Sequence, residues 1–545
     1  MAQIILRGNL SAVSFPLISE FAGRSIVIPQ LDENYLPGSI NRTTNDSDHD
    51  RGIPQISYCH NVVPAAQGYK SVAYNTIATG LVGHTDFFLT RVVKDASNNK
   101  AILGFTTAGG IYMLTSGVVG WQPLTVVGWT NQGQVTFAFV NGSTYICLQG
   151  LGVYLVAITV PGLTLQALTG LTASTLVGIC DSNNYMIAYI LGIVYWSSTS
   201  NPLDFVPSLI TGAGSGTPND LNGAIIVCAG LNNGFVIYNS GVPVIASYTG
   251  NSNYPWIFRS ASFGAGITAQ DQVTLGDGQG YHYAWTSAGI IRVEATGCEV
   301  VFPELTDFLA GKIFEDYDTA THTFTRTNLG SKLAVALTMI GSRYLVISYG
   351  QTDETYTHAL VYDTAFSRWG KLRVNHVTCM EIAVNPVGGI LNYTALLGTL
   401  YDAYTTTTYT QLSAVSNLAA DPKNTMVFMQ ANGTLLIADF SFGNYAADAV
   451  IMLGKFEINR NQLCTLEQVE IEGIDVENQA NVDVSVFSTI DGSTYIPAKI
   501  PTQTLSAGRL RKYNMRVTGT NHSICLHGSF HVTSAMFAFH NHGRR

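Results

Sequence analysis

Apolar and aromatic residues recur along this chain in short runs, cut by Gly, Asn and Pro. The stretch Asp181–Phe205, DSNNYMIAYILGIVYWSSTSNPLDF, shows the unit. Asn183-Asn184 closes a turn, and Tyr185 to Ile190 is a β-branched and aromatic run suited to a strand. Leu191-Gly192 breaks it, and Gly can supply the positive φ of a tight hairpin. Ile193 to Ser197 is a second strand. The chain then leaves the sheet through Asn201-Pro202, where Pro presets φ and cannot donate to a ladder.

One hairpin cannot bury both its faces, so the unit must be repeated. Comparable pairs of runs occur at 102–124, 135–156, 225–247, 273–294, 344–372 and 395–404. Equivalent positions at Tyr112, Tyr154, Tyr195, Val244, Ile291, Val361 and Leu400 are 42, 41, 49, 47, 70 and 39 residues apart. A period of about 40–50 residues built from short strands is the mark of a β-propeller. The predicted fold is all-β: a propeller-like body of about six to seven blades plus a C-terminal β-sandwich-like domain. The 70-residue interval holds Leu305 to Asp318, a segment with helical character read as an insertion between blades.

Three regions follow. Residues 1–75 are an extended arm or docking segment, punctuated by Pro16, Pro29, Pro37, Pro54 and Pro64; Ile56 to Val72 is its lead-in strand. Residues 76–410 are the propeller-like body. Residues 411–545 are a connector and a β domain. In the latter, Lys455–Ile458, Leu466–Ile474 and Val482–Phe487 alternate with a period near two, Asp491-Gly492 is a hairpin turn, and 512–517 and 531–539 complete the sheet.

Composition sharpens this picture. Hydrophobic residues make up 46% and charged residues 12% of the chain, against a usual ~25% charged. Ala101 to Cys180 contains no Asp, Glu, Lys or Arg. A membrane span needs about 20 predominantly apolar residues in a row. Here Gly, Pro, Asn, Gln, Ser and Thr interrupt every run, so no membrane insertion is expected. The uncharged stretch suggests either strands covered by an assembly partner or a monomer surface solvated by Ser, Thr and Asn, with Thr106 and Thr115 as exposed positions. The start, MAQIILRGNLSAVSFP, has neither the basic onset nor the apolar core of a signal peptide. Eight cysteines without a CxxC pair are read as unpaired thiols of a protein made in a reducing cytoplasm. The net charge of −9 argues against a phosphate-gripping nucleic-acid binder, while allowing DNA to pass along an acidic or neutral wall.

Candidate chemistry is sparse. Asp46, Asp48 and Asp50 alternate as in a calcium loop, but Gly52 falls late and no acidic residue ends the span, so a solvated loop is expected. Ser488 to Tyr495 is similar to an Asp-box turn with its spacing off by one, so it is read as a hairpin. His522, His527, His531, His540 and His542 have the look of zinc ligands but lack close carboxylate partners, so a structural role is expected. Glu294, Glu299, Glu304 and Asp307 could act as a glycosidase pair only if two faced one cleft. Trp121, Trp129, Trp196, Trp256, Trp285 and Trp369 could stack sugars or pack between blades; packing is expected. No catalytic, cofactor-binding or metal-binding residue is assigned, and no enzyme activity is expected.

The run VYWSSTSNPLDF resembles the blade endings of the tail nozzle, or hub, proteins of short-tailed bacteriophages, also called packaged-DNA stabilisation proteins. NVVPAAQGYKSV (61–72) looks like the segment before their first blade, and FHVTSAMFAFHNHGRR is similar to their terminal strand. Asn201-Pro202 stands where the family has Asp-Pro. The resemblance implies a structural virion protein: a cyclic homo-oligomer, expected to be a hexamer, at the tail tip. It would contact a tail adaptor or head-to-tail connector and tail fibre or spike proteins, retain packaged double-stranded DNA, and let it pass at infection. The alternative is a carbohydrate-binding or carbohydrate-active propeller that meets a host surface. A WD-type scaffold would repeat Gly-His and Trp-Asp pairs, and only Gly83-His84 occurs.

Overall fold

The computed structural model describes residues 3–7, 12–16, 56–65 and, with short gaps, 69–382, 426–439, 448–457, 463–473, 481–489, 496–499, 503–504 and 511–541. The Asp46–Asp50 loop, the 395–404 run, the connector at 405–423 and the Asp491-Gly492 turn lie outside the described residues.

The hairpin unit repeats around a closed ring of seven antiparallel sheets. Blade 1 comprises Phe87–Lys94, Lys100–Thr106, Ile111–Thr115 and Gln122–Leu124. Blade 2 comprises Val135–Val140, Ser143–Leu148, Gly152–Ala157 and Gly162–Leu165. Blade 3 follows with Gly178–Ser182, Tyr185–Tyr189, Val194–Trp196 and Gly214–Gly216, and blade 4 with Val227–Leu231, Gly234–Tyr238, Val244–Tyr248 and Trp256–Ser260. Blade 5 has three strands, Tyr281–Thr286, Gly289–Glu294 and Gly297–Val301. Blade 6 has Ala334–Ile340, Tyr344–Gly350, Tyr356–Asp363 and Arg368–His376. Blade 7 takes Thr378–Glu381, Met426–Met429 and Leu435–Asp439 from late in the chain, and its outermost strand, Ala73–Ala78, from before blade 1. That outer strand locks the ring.

Burial explains why the runs alternate so little. Every blade but the edge strands is covered on both faces by its neighbours, so Tyr185–Tyr189 and Tyr344–Gly350 are buried at every position. Seven buried clusters fill the seven junctions, one per pair of adjacent blades. At the junction of blades 7 and 1, Gly104 lets rings pack onto backbone. A Cβ there would lie 2.7 Å from Phe87 and 3.0 Å from Trp121.

The C-terminal domain is the expected β-sandwich. One sheet orders Ile56–His60, Ala449–Glu457, Asn521–Gly528, Asn481–Thr489 and Ile496–Lys499. The other places Cys464–Gly473 between Arg511–Gly519 and His531–Asn541, and extends through Gln3–Arg7 to Ala12–Pro16. The sandwich and ring are not separate sheets. His531–Asn541 pairs with Tyr69–Ser71, which pairs with Val62–Pro64, which pairs with the outer strand of blade 6. One sheet therefore runs from the ring into the sandwich.

Four expectations need correction. The body is not confined to 76–410, because 73–78 and 426–439 are strands of blade 7; the pattern marks strands but not the blade each one joins. The 70-residue interval compares a second strand, at Ile291, with a third, at Val361. It also contains a helix of one turn and a half, Leu305–Leu309, and a hairpin, Phe314–Asp318 with Thr323–Thr327, so the helical character stops earlier than Asp318. Asn183 and Asn184 carry the positive φ of the blade 3 hairpin, at 49° and 65°, whereas Gly192 does not use that freedom. Thr106 and Thr115 are buried, not exposed.

Candidate functional site on the inner strands

The first strand of each blade stands nearest the ring axis, and its polar side chains mostly tie neighbours together. Thr90 and Thr378 hydroxyls meet at 2.6 Å between blades 1 and 7. The Lys94 amide donates to Thr144 Oγ1 at 3.0 Å between blades 1 and 2. Between blades 2 and 3 the Ile179 amide donates to Thr136 Oγ1 at 2.8 Å, and the Phe139 amide to Asp181 Oδ1 at 3.0 Å. Ser182 Oγ donates to the Gly234 carbonyl at 2.6 Å. The Gly341 amide donates to Glu381 Oε2 at 2.8 Å between blades 6 and 7.

His282 has the same use. Its Nε2 lies 2.7 Å from the Gly230 carbonyl, to which it donates across the junction of blades 4 and 5, and Tyr238 OH lies 3.4 Å from Nδ1. Burial pushes its pKa down to about 4, so the ring is neutral at pH 7. His376 is held alike, between Ser348 Oγ and the Val374 carbonyl, each at 2.7 Å, and burial again lowers its pKa to about 4. Two cations of blade 1 lie over rings of blade 2: Arg91 over Phe137 at 5.9 Å and Lys94 over Phe139 at 5.4 Å from the ring centres. These contacts clamp blades; they do not assemble a nucleophile, a base and an acceptor site.

The other candidates from the sequence resolve into packing or surface pairs. All six tryptophans are buried, and Trp121 Nε1 donates to the Gly433 carbonyl at 2.9 Å across the ring closure. Glu294 and Glu299 flank Arg292 at 2.6 and 3.9 Å, and Asp307 pairs with Lys312. Glu304 lies outside the described residues. His522 is buried with Nδ1 2.7 Å from Ser488 Oγ, inside the sandwich, and sits on the same strand as His527. Among the described residues, no three His, Cys, Asp or Glu side chains are grouped to hold a metal ion. No disulfide joins the described cysteines; burial pushes Cys59 and Cys147 up to about 12.

The stretch from which the unit was read builds blade 3 and a plug. After Trp196 the chain turns at Asn201-Pro202, the Ser198 amide donates to the Asp204 carbonyl at 2.7 Å, and Phe205 is wholly buried between blades 2 and 3. The charge-free residues 101–180 form one continuous sector, from the second strand of blade 1 to the inner strand of blade 3. Among the described residues, its exposed large apolar side chains are Phe139, Val160 and Leu165. The sequence signal for the last two was their place around the fourth strand of a unit, just beside Pro161.

No family model matches the chain, and no curated protein does. Among solved structures, the WD40 β-propeller domain of Doa1 matches with a TM-score of 0.37 and 8% identity, over 69% of this chain and all of that one. The chain is an all-β propeller fused to a β-sandwich.

Proposed function

We propose that this chain is a structural virion protein of a short-tailed phage, the nozzle or hub that closes the DNA channel at the tail tip. It retains packaged DNA and lets it pass at infection. The observation that carries the reading is the single sheet running from blade 6 through 62–64 and 69–71 into the sandwich. It makes the ring and the sandwich a stiff unit suited to bearing load in a conduit. The resemblance at VYWSSTSNPLDF, 61–72 and the C-terminal strand gives the reading its family. A chain of net charge −9 holds phosphate weakly, which favours passage over capture. In this reading copies close into a cyclic oligomer, with six as the expected order, seated on a tail adaptor.

A host-glycan binding propeller is the rival. It is favoured by the rim of blade 4, where Tyr254 is exposed and Tyr248 is partly exposed beside Trp256. The deciding experiment is immunogold labelling of purified virions, with negative-stain microscopy of the protein. Gold at tail tips and rings with a central hole support the nozzle. Absence from virions, together with glycan binding lost in Tyr254→Ala, supports the rival.

A further inference from the structure

We propose that two copies of this chain pair edge to edge through the outer strand of blade 2, Gly162–Leu165. Exposed sheet edges are ordinarily guarded by charge, Pro, bulges, shortness or a cover. The other described blades follow that rule. Blade 1 ends on Gln122–Leu124 with Pro123 exposed, and blade 3 on the three residues Gly214–Gly216. Blade 4 carries Arg259, blade 5 carries Glu299, blade 6 is covered by 62–64, and blade 7 has a register shift opposite Leu435 and Leu436. The blade 2 edge carries no charge, no register shift and, among the described residues, no cover; Pro161 stands just before its four residues rather than within them. Thr164 and Leu165 are exposed, as is Val160 just before the strand.

The register fixes which backbone groups are free. Leu165 faces Tyr154, Thr164 faces Leu155 and Leu163 faces Val156. The Gln166 amide donates to the Val153 carbonyl, which makes 153 with 166 a hydrogen-bonded pair. Antiparallel pairs alternate, so Thr164 points its amide and carbonyl inward, and Leu163 and Leu165 point theirs outward. A second copy laid antiparallel with Thr164 opposite its own Thr164 brings Leu163 against Leu165 on both sides. The four outward amide and carbonyl groups of each strand are then satisfied by the other copy. The edge is self-complementary, as a two-fold contact requires.

Charge selects the same occupant. Two copies at net −9 repel through most approaches, and an antiparallel pairing of 162–165 sets no like charges opposite each other, because the strand itself carries none. The contact also covers Leu165 and Val160. It goes beyond the nozzle reading: a two-fold contact does not join neighbours within one cyclic ring, so it pairs chains outside that ring.

The test is sedimentation velocity on the full chain over a wide concentration range, with Leu165→Lys as the guarded edge and Ile257→Lys on the blade 4 outer strand as control. The wild type and the control should pair, and Leu165→Lys should weaken pairing by at least about ten-fold. A second variant, Thr164→Cys, should be captured as a disulfide-linked dimer by oxidised glutathione, because non-hydrogen-bonded partners hold their Cβ atoms about 4.5–5.5 Å apart. It decides the matter if Leu165→Lys misfolds. A wild type that stays monomeric at every concentration, or a Leu165→Lys variant that pairs as tightly as the wild type, overturns the proposal. A protein found at tail tips whose wild type stays monomeric in sedimentation sinks the edge contact and leaves the nozzle reading standing. A dimer sensitive to Leu165→Lys in a protein absent from virions does the reverse.

Discussion

Blades 2 and 6 are built from the same antiparallel unit and end differently. The outer strand of blade 6, Arg368–His376, is almost wholly buried beneath residues 56–65. Arg368 donates to the Ala65 carbonyl at 2.9 Å, and the Lys371 ammonium lies 4.7 Å from the centre of the Tyr58 ring. Asp363, fully buried, takes a two-pronged bond from Arg343 with a closest approach of 2.8 Å. Asn61 accepts from the Arg373 amide at 2.8 Å and donates to Asp448 at 2.9 Å, which ties blade to sandwich. Blade 2 ends on Gly162–Leu165 with no charge and, among the described residues, no cover. The difference shows where specificity is placed in a repeat fold. The repeated core is interchangeable hydrophobic packing; the edge decides whether a blade closes on its own chain or stays open to another.

The largest expected effect comes from removing what blade 6 closes on. Deleting residues 1–79 takes away the cover of blade 6 and the outer strand of blade 7, and opens the ring. The product should lose cooperative thermal unfolding and become sensitive to limited proteolysis. A cooperative transition near the wild-type temperature would show that the closing strand is dispensable.

Next is the buried ion pair. Asp363→Ala leaves Arg343 without its carboxylate and Arg368 with one fewer neutralising charge in a site where burial already lowers the Arg368 pKa. Breaking a fully buried pair costs about 3–5 kcal/mol; Arg343 is 30% exposed and can turn to water, so the expected loss is about 1.5–3 kcal/mol. Urea unfolding should show that loss. A change below about 1 kcal/mol would mean that water reaches the site and that the blade 6 edge is less closed than described.

Acid should act on the ring rather than on the blade 2 edge, which has no titrating group. His282 and His376 have folded pKa values of about 4, below the ordinary value of about 6.5 in an unfolded chain. A depressed histidine pKa means that the unfolded state binds the proton first. Stability is therefore fully present above about pH 6.5 and falls as pH drops towards 4, by up to about 3 kcal/mol per histidine. Denaturation midpoints measured from pH 7 to 4.5 should decline, and His376→Gln should flatten part of that slope. A flat wild-type profile would refute the burial of these rings.

A single hydrogen bond at the ring closure is worth less. Trp121→Phe keeps most of the packing against Phe87 and removes the bond to the Gly433 carbonyl. The expected cost is about 1 kcal/mol, read as a small shift in the urea midpoint with an unchanged slope.

The sequence made the strands legible and left their partners hidden. Tyr185–Tyr189 and Asn183-Asn184 could be read because local propensity and turn chemistry agree there. The pairing of 73–78 with 435–439 could not, since contact across more than 350 residues leaves no mark in a run such as AYNTIA. Exposure was misjudged at Thr106 because a threonine at a strand end suggests solvent. It instead lies buried in the blade 1 turn, with its hydroxyl accepting from the Gly110 amide at 2.8 Å. The tryptophans were legible as packing because all six fall within the repeat, and the inner-strand bonds of Thr136 and Ser182 were not, since serine and threonine are common at every surface.

The smallest expected effect bears most directly on the contrast between the two blades. Leu165 is 57% exposed at the end of an edge strand, and its backbone groups point away from the sheet. Replacing it by Lys removes no buried contact of consequence and breaks no intrachain ladder bond. The stability of the single chain should change by less than about 0.5 kcal/mol, the usual range for a surface position. The same charge placed in the blade 6 outer strand, as Leu372→Lys, would enter a site with no exposure and should cost several-fold more. Urea titrations of both variants, at concentrations too low for pairing, measure that gap. Equal costs would mean that the blade 2 edge is already covered within the chain, and the contrast between an open blade and a closed one would not stand.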